Sequence, residues 1–90
     1  MTQTPSNEPR DSRIKRMHMR AWRRGIKEMD LVLGGYADNH LAGMDEARLA
    51  AFDALLHEND QDLLAWITGQ APMPARHAGL LAEIMASRQN

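Results

Sequence analysis

The ninety-residue chain has no cysteine. That absence excludes a disulfide framework, a thiolate metal site, a cysteine nucleophile and thiol redox chemistry. No apolar run approaches the ~18 residues of a membrane-spanning helix, so no membrane insertion is expected. No stretch has the period-two, β-branched character of a strand. The opening MTQTPSNEPR lacks the apolar core of a secretory signal, and the nearby Glu8 and Asp11 fit poorly with a transit peptide. The expectation is a soluble cytoplasmic protein. A mass of 10.2 kDa leaves room for one domain, and 43% hydrophobic residues are too many for a wholly disordered chain.

What is present is helical in period. Residues 1–10 carry no periodic apolar residue and read as a flexible, disordered tail. Asp11 or Ser12 can cap a first helix in which Ile14, Met17, Ala21 and Trp22 form a stripe on a heavily basic cylinder. Gly25 interrupts it. As an N-cap, Gly25 would open a second helix with Glu28 reaching back to it and Asp30 in the same first turn, where the helix dipole favours anions. Ile26, Met29, Leu33, Tyr36 or Ala37, and Leu41 mark its buried face, which Leu31 and Val32 widen. Gly34-Gly35 is a weak point, costing about 1 kcal/mol per glycine relative to alanine, where the helix is expected to bend or end early. Asp45 caps a third helix burying Leu49, Phe52, Leu55 and Leu56. Asn59 or Asp60 caps a fourth with Leu63, Leu64, Trp66 and Ile67, closed by Gly69. Pro74 suits the first turn of a fifth, with Leu80, Leu81, Ile84 and Met85 inward. The fold class is all-α: a compact five-helix bundle.

Charge is unevenly spread. Residues 1–30 hold eight Lys/Arg against four acids, whereas residues 31–90 hold three against eight. Either a charged binding surface or internal electrostatic balance accounts for this. A domain pI of 6.4 falls well short of the basic footprint of a nucleic-acid binder, so no nucleic acid is expected as a partner. Catalysis finds little support. His18, His40, His57 and His77 never stand at the i, i+4 pitch of a metal pair and read as surface or boundary residues. Glu28 and Asp30 project about 200° apart on a helix and cannot work as an acid/base pair. Gly34-Gly35 has neither the strand nor the lysine of a phosphate loop. No catalytic, metal or cofactor-binding residue is assigned, and the chain is not expected to be an enzyme. Protein binding fits better: seven methionines are adaptable contact residues as well as core filling, and Trp22 stands among Arg20, Arg23 and Arg24, types enriched at binding hot spots.

The run Arg23-Arg24-Gly25-Ile26-Lys27-Glu28-Met29-Asp30 resembles the RGxxE signature of the SdhE family of succinate dehydrogenase assembly factors. Phe52, Leu55, Leu56, Asp60, Asp62, Leu63 and Trp66-Ile67-x-Gly69 resemble that family's later helices, so the likeness covers roughly residues 12–70. It implies a small helical bundle, here a single SdhE-like domain over 11–90. It implies a chaperone, not an enzyme, that promotes covalent attachment of FAD to the flavoprotein subunit of succinate dehydrogenase, and in some bacteria of fumarate reductase. It carries partner binding onto Arg24, Gly25, Glu28 and Asp30, with Trp22 and Arg23 as neighbours on the contact face. FAD would be attached to the partner and not stably bound by this chain. Some relatives are described as antitoxins of a small membrane toxin, which is the alternative function; a weak nucleic-acid binder using the basic helix is a third. A plain structural account of the same letters also exists: Gly25 and Glu28 as helix-start chemistry, and Arg24–Glu28 as a surface pair worth under ~1 kcal/mol.

Overall fold

Apolar residues three and four positions apart need a shared surface to bury them. The computed structural model, which describes residues 9–88, supplies it with five α-helices and no strand among those residues. They are α1 (Arg10–Ala21), α2 (Lys27–His40), α3 (Glu46–Leu56), α4 (Asp60–Ile67) and α5 (Ala75–Arg88). The central α2 packs against α1, α4 and α5, and α3 closes the other side against α1 and α5. Met17 and Ala21 of α1, Met29, Leu33 and Ala37 of α2, Phe52 of α3, Leu63 of α4 and Leu81 and Ile84 of α5 are all sealed from solvent. This is the all-α five-helix bundle that the periodicity predicts.

Several local expectations differ from what forms. Residues 1–8, most of the expected tail, lie outside the described residues. Helix α1 begins at Arg10, directly after Pro9, and neither Asp11 nor Ser12 caps it. Arg10 is held there by its own side chain, which donates to Glu46 and to the Met44 carbonyl at the start of α3. Helix α2 begins at Lys27 with Ile26 at the N-cap and no side-chain cap, so Gly25 and Glu28 form no capping box. It runs unbroken through Gly34-Gly35 to His40, and a 3₁₀ turn, Leu41–Gly43, then leads to α3. Leu31, expected to widen the buried face, is 54% exposed.

The remaining boundaries follow the expected chemistry. Asp45 accepts from the Arg48 amide at 2.8 Å, Asn59 accepts from the Gln61 amide at 2.7 Å, and Gly69 takes the left-handed conformation (φ +80°) that ends α4. Pro74 sits one residue before α5, its carbonyl accepting from the His77 amide. The polar staples between helices were not predicted. The Tyr36 hydroxyl donates to Glu83 at 2.8 Å and accepts from Arg48, tying α2, α3 and α5 together. Burial and the neighbouring Glu83 raise the Tyr36 pKa, while the Tyr36 hydrogen bond holds Glu83 below the usual carboxylate range. His77 is a correction to the reading of all four histidines as surface or boundary groups. It is 3% exposed, bonded through Nε2 to Glu58 at 2.7 Å, with its ring against Trp66.

Candidate functional site

The α1–α2 junction is built around two unusual requirements. The first is a reversal of the chain directly after α1, where Gly25 adopts φ +93°. That left-handed conformation costs an L-residue about 1–2 kcal/mol, whereas glycine takes it freely. An added Cβ would find space, its nearest neighbour being Asp60 Oδ2 at 3.9 Å, so backbone conformation and not crowding selects glycine.

The second is the burial of an arginine. The Arg24 side chain is only 9% exposed. Its Nε donates to Asp60 Oδ1 at 2.7 Å, one terminal nitrogen to the Leu56 carbonyl, and the other to the Glu58 carbonyl at 2.6 Å. The Leu56 carbonyl ends α3, where unpaired acceptors and the helix dipole favour a cation, and the Glu58 carbonyl lies in the turn just beyond it. Asp60 opens α4, where the dipole favours an anion. The guanidinium fork therefore fits a prepared socket, and charge-assisted bonds of this kind are about twice as strong as neutral ones. From the other side, Asp30 Oδ1 accepts from the Arg24 backbone amide at 2.6 Å, closing the loop from 24 to 30. No Arg24–Glu28 pair forms: the guanidinium is directed at Asp60 and the Leu56 and Glu58 carbonyls instead.

Trp22, at the C-cap of α1, lies flat on α2. A Cβ at Gly34 would sit 2.3 Å from Trp22 Cδ2 and 2.4 Å from Cε2, so the indole occupies the space that any side chain there would need. Its Nε1 donates to Asp38 at 3.1 Å, and His18 Nδ1 meets the same carboxylate at 3.2 Å. The other ring face is open, leaving Trp22 39% exposed. Helix α2 continues through Gly34, and the missing side chain there makes room for Trp22.

The structure thus divides the six expected site residues. Arg24 and Asp30 are bonded to each other and build the junction. Gly25, Trp22, Arg23 and Glu28 are exposed around it. The Arg23 and Glu28 side chains make no hydrogen bond or ion pair among the described residues. Leu31 lies one turn beyond Glu28 on the same strip of α2 and adds an exposed apolar group there. Asp60, although part of the second family-like stretch, was expected only as an alternative cap. Its pairing with a residue 36 positions away has no local sequence signal.

Three cations of the basic first helix are paired inside the fold. Arg10 and Arg13 reach Glu46 at 3.1 and 2.8 Å, and Arg16 reaches Asp53 at 3.2 Å. Arg20 lies 3.2 Å from His57 Nε2. These residues line one edge of α3, which weighs against their serving a nucleic-acid backbone. No group of three or more His, Cys, Asp or Glu among the described residues could hold a metal ion, and no helix of theirs is long and apolar enough to cross a membrane.

Comparison with known proteins identifies the setting of this junction. A family model described as flavinator of succinate dehydrogenase, Sdh5, matches residues 15–88. The mitochondrial succinate dehydrogenase assembly factor 2 of Saccharomyces cerevisiae is 36% identical over 90 residues, covering 94% of this chain and 56% of that protein. The proteins of the same name from Candida glabrata and Mycosarcoma maydis are 40% and 39% identical, covering 78% and 80% of this chain. The chain spans about half or less of the length of these curated relatives, at 56%, 48% and 30%. Their names favour the assembly reading over toxin pairing.

Proposed function

The chain belongs to the family of flavinators of succinate dehydrogenase, and from that premise we propose that it promotes covalent FAD attachment to the flavoprotein subunit of that enzyme. It acts as an assembly factor and not as an enzyme. The flavoprotein subunit of fumarate reductase is a second client in this reading. The relatives' names carry the word mitochondrial; for this chain the proposed site of action is the cytoplasm.

The observation that carries the docking surface is the exposed rim of a rigid junction. Glu28 stands outward with no partner within the described residues, beside an exposed Gly25 whose backbone a partner can approach closely. Trp22 and Arg23 precede Gly25 in the chain and Leu31 follows Glu28 by one helical turn, and all three are exposed, an aromatic, a cation and an apolar group. The bond between a partner histidine and the flavin ring is made by groups of the partner and of FAD. This chain contributes order, holding a mobile region of the partner in the competent geometry. FAD remains with the partner and is not stably held here.

The test mixes the apo flavoprotein subunit with FAD, with and without the chain. Covalent flavin fluorescence is then read on a denaturing gel at early and late times. The expected result is a clear rise that Glu28→Ala or Gly25→Arg abolishes while helical content is retained. Folded Gly25→Arg protein that still supports flavinylation would overturn the proposed docking surface.

A further inference from the structure

Arg24 is read most simply as a contact residue, since it leads the signature, yet its guanidinium faces inward. We propose that Asp60 is a positioning residue of the docking surface, acting through Arg24 on the loop from Arg23 to Ile26 without touching the partner itself. This inference rests on the docking surface proposed above.

The geometry carries it. Asp60 Oδ1 receives Arg24 Nε at 2.7 Å, and its second oxygen lies 3.9 Å from where a Gly25 Cβ would be. One carboxylate at the start of α4 thus abuts both residues that turn the chain between α1 and α2. The Asp60 side chain is 21% exposed and the Arg24 side chain 9%, so water competes poorly for the pair. The Leu56 and Glu58 carbonyls fix the rest of the fork, and Asp30 fixes the backbone of the same residue. Without Asp60 the Arg24 side chain keeps only its backbone acceptors, and its charge is left in a partly buried site without a counter-ion. A guanidinium in that position is drawn toward solvent, and the loop moves with it. Gly25 offers no conformational resistance, because glycine is permissive on both sides of φ zero. The prepared rim would then have to be ordered at the moment of binding, which weakens association.

Lysine cannot substitute for Arg24 in this scheme. A single ammonium cannot reproduce the planar fork that meets a carboxylate and two carbonyls together. Were Arg24 instead a simple positive charge for the partner, Arg24→Lys would retain much of the binding.

The experiment measures affinity of the full chain for the apo flavoprotein subunit by titration. Asp60→Ala, Asp60→Asn, Arg24→Lys, Glu28→Ala and Gly25→Arg are compared, with helical content followed by circular dichroism. The Arg24 Nε–H resonance in nitrogen-15 spectra reports whether the socket is occupied. The expected result is docking about tenfold weaker or worse for Asp60→Ala and Arg24→Lys, the scale of a loop that must be ordered on binding. Asp60→Asn, which keeps an acceptor at Oδ1, should fall between them and the parent chain and decides the matter if Asp60→Ala does not fold. The Nε–H signal should lose its protection in Asp60→Ala yet keep it in Glu28→Ala. Weakened docking by Glu28→Ala and Gly25→Arg, with docking by the Asp60 variants and Arg24→Lys within twofold of the parent, would overturn this inference alone. Unimpaired docking by Glu28→Ala and Gly25→Arg would overturn the docking surface on which it rests.

Discussion

Two adjacent glycines in α2 should respond to alanine with opposite signs. Both lie in the interior of a continuous helix, where alanine is worth about 1 kcal/mol over glycine. At Gly35 nothing stands within 4 Å of the new methyl group, so Gly35→Ala should collect that gain and raise the melting temperature by about 4–8 °C for a domain of this size. At Gly34 the methyl would stand 2.3 Å from Trp22 Cδ2, and the indole must leave. An indole typically buries about 150–250 Å². With Trp22 39% exposed, roughly three-fifths of that is at stake, about 2–4 kcal/mol at about 25 cal/mol per Å². The hydrogen bond to Asp38 adds about 1 kcal/mol. Part of this is recovered if the ring tilts instead of leaving, and the helix-propensity gain offsets about 1 kcal/mol more. The net expectation for Gly34→Ala is a loss of about 2 kcal/mol, a fall of about 8–16 °C.

The assay is thermal and urea unfolding followed by circular dichroism, with Trp22 emission read alone in a Trp66→Phe background. Gly34→Ala should shift that emission to the red, and Gly35→Ala should leave it in place. In a Trp22→Ala chain the obstacle is gone, so Gly34→Ala should become stabilising by about 1 kcal/mol, giving a coupling of up to about 3 kcal/mol. Equal stabilisation by both alanines in the parent chain would refute the packing of Trp22 on Gly34.

Other outcomes follow from the caps and the carboxylates. Asp45→Ala and Asn59→Ala each remove an acceptor from a helix-start amide and should cost about 1 kcal/mol in urea unfolding, nearly additively because they cap different helices. The Glu58 carboxyl is held below its ordinary value of 4.5, first by the His77 hydrogen bond and then by Arg76, and Glu83 is held below the same value, first by Tyr36. Carboxylates depressed in the folded state contribute stability that is complete above about 4.5 and is lost as pH falls through their folded values. Urea midpoints measured from pH 7 downward should therefore drop in that acid range, and Glu83→Gln and Glu58→Gln should each flatten the decline.

The helices were legible because their apolar stripes are long and their breaks carry glycine, proline or a capping acid. Period alone places Leu49, Phe52, Leu55 and Leu56, and position before an apolar run places the Asp45 cap; for the fourth helix it leaves Asn59 and Asp60 open, and Asn59 is the cap. What escaped was anything decided by a residue distant in sequence. Gly34 was weighed for its backbone cost when its role is the volume it leaves for Trp22, 12 positions earlier. The burial of His77 has no local signal, because its partner, Glu58, is 19 residues away. Leu31 is as apolar as its buried neighbours Val32 and Leu33, yet it is 54% exposed while they are sealed; which apolar residues of α2 are covered is decided by the helices packed on it, not by its own letters.

The signature itself shows how local and distant demands combine. Glycine at position 25 answers a backbone requirement, φ +93°, that would exist without any partner. Arginine at position 24 answers the carbonyl that ends α3, a second carbonyl in the turn beyond it and the carboxylate that opens α4, again within the chain. Only Glu28 has no such internal reason, standing exposed and without a bond among the described residues. A short pattern of this kind therefore joins two letters that shape a surface to one that is displayed on it. Substitutions at Arg24 and Gly25 should disturb both the junction's conformation and docking, whereas Glu28→Gln should change docking and leave the Arg24 Nε–H signal and the urea midpoint where they were. A Glu28→Gln chain that lost stability by more than about 0.5 kcal/mol, the usual limit for a surface substitution, would show that Glu28 too is a structural residue, and the division of the signature drawn from its contacts would be wrong.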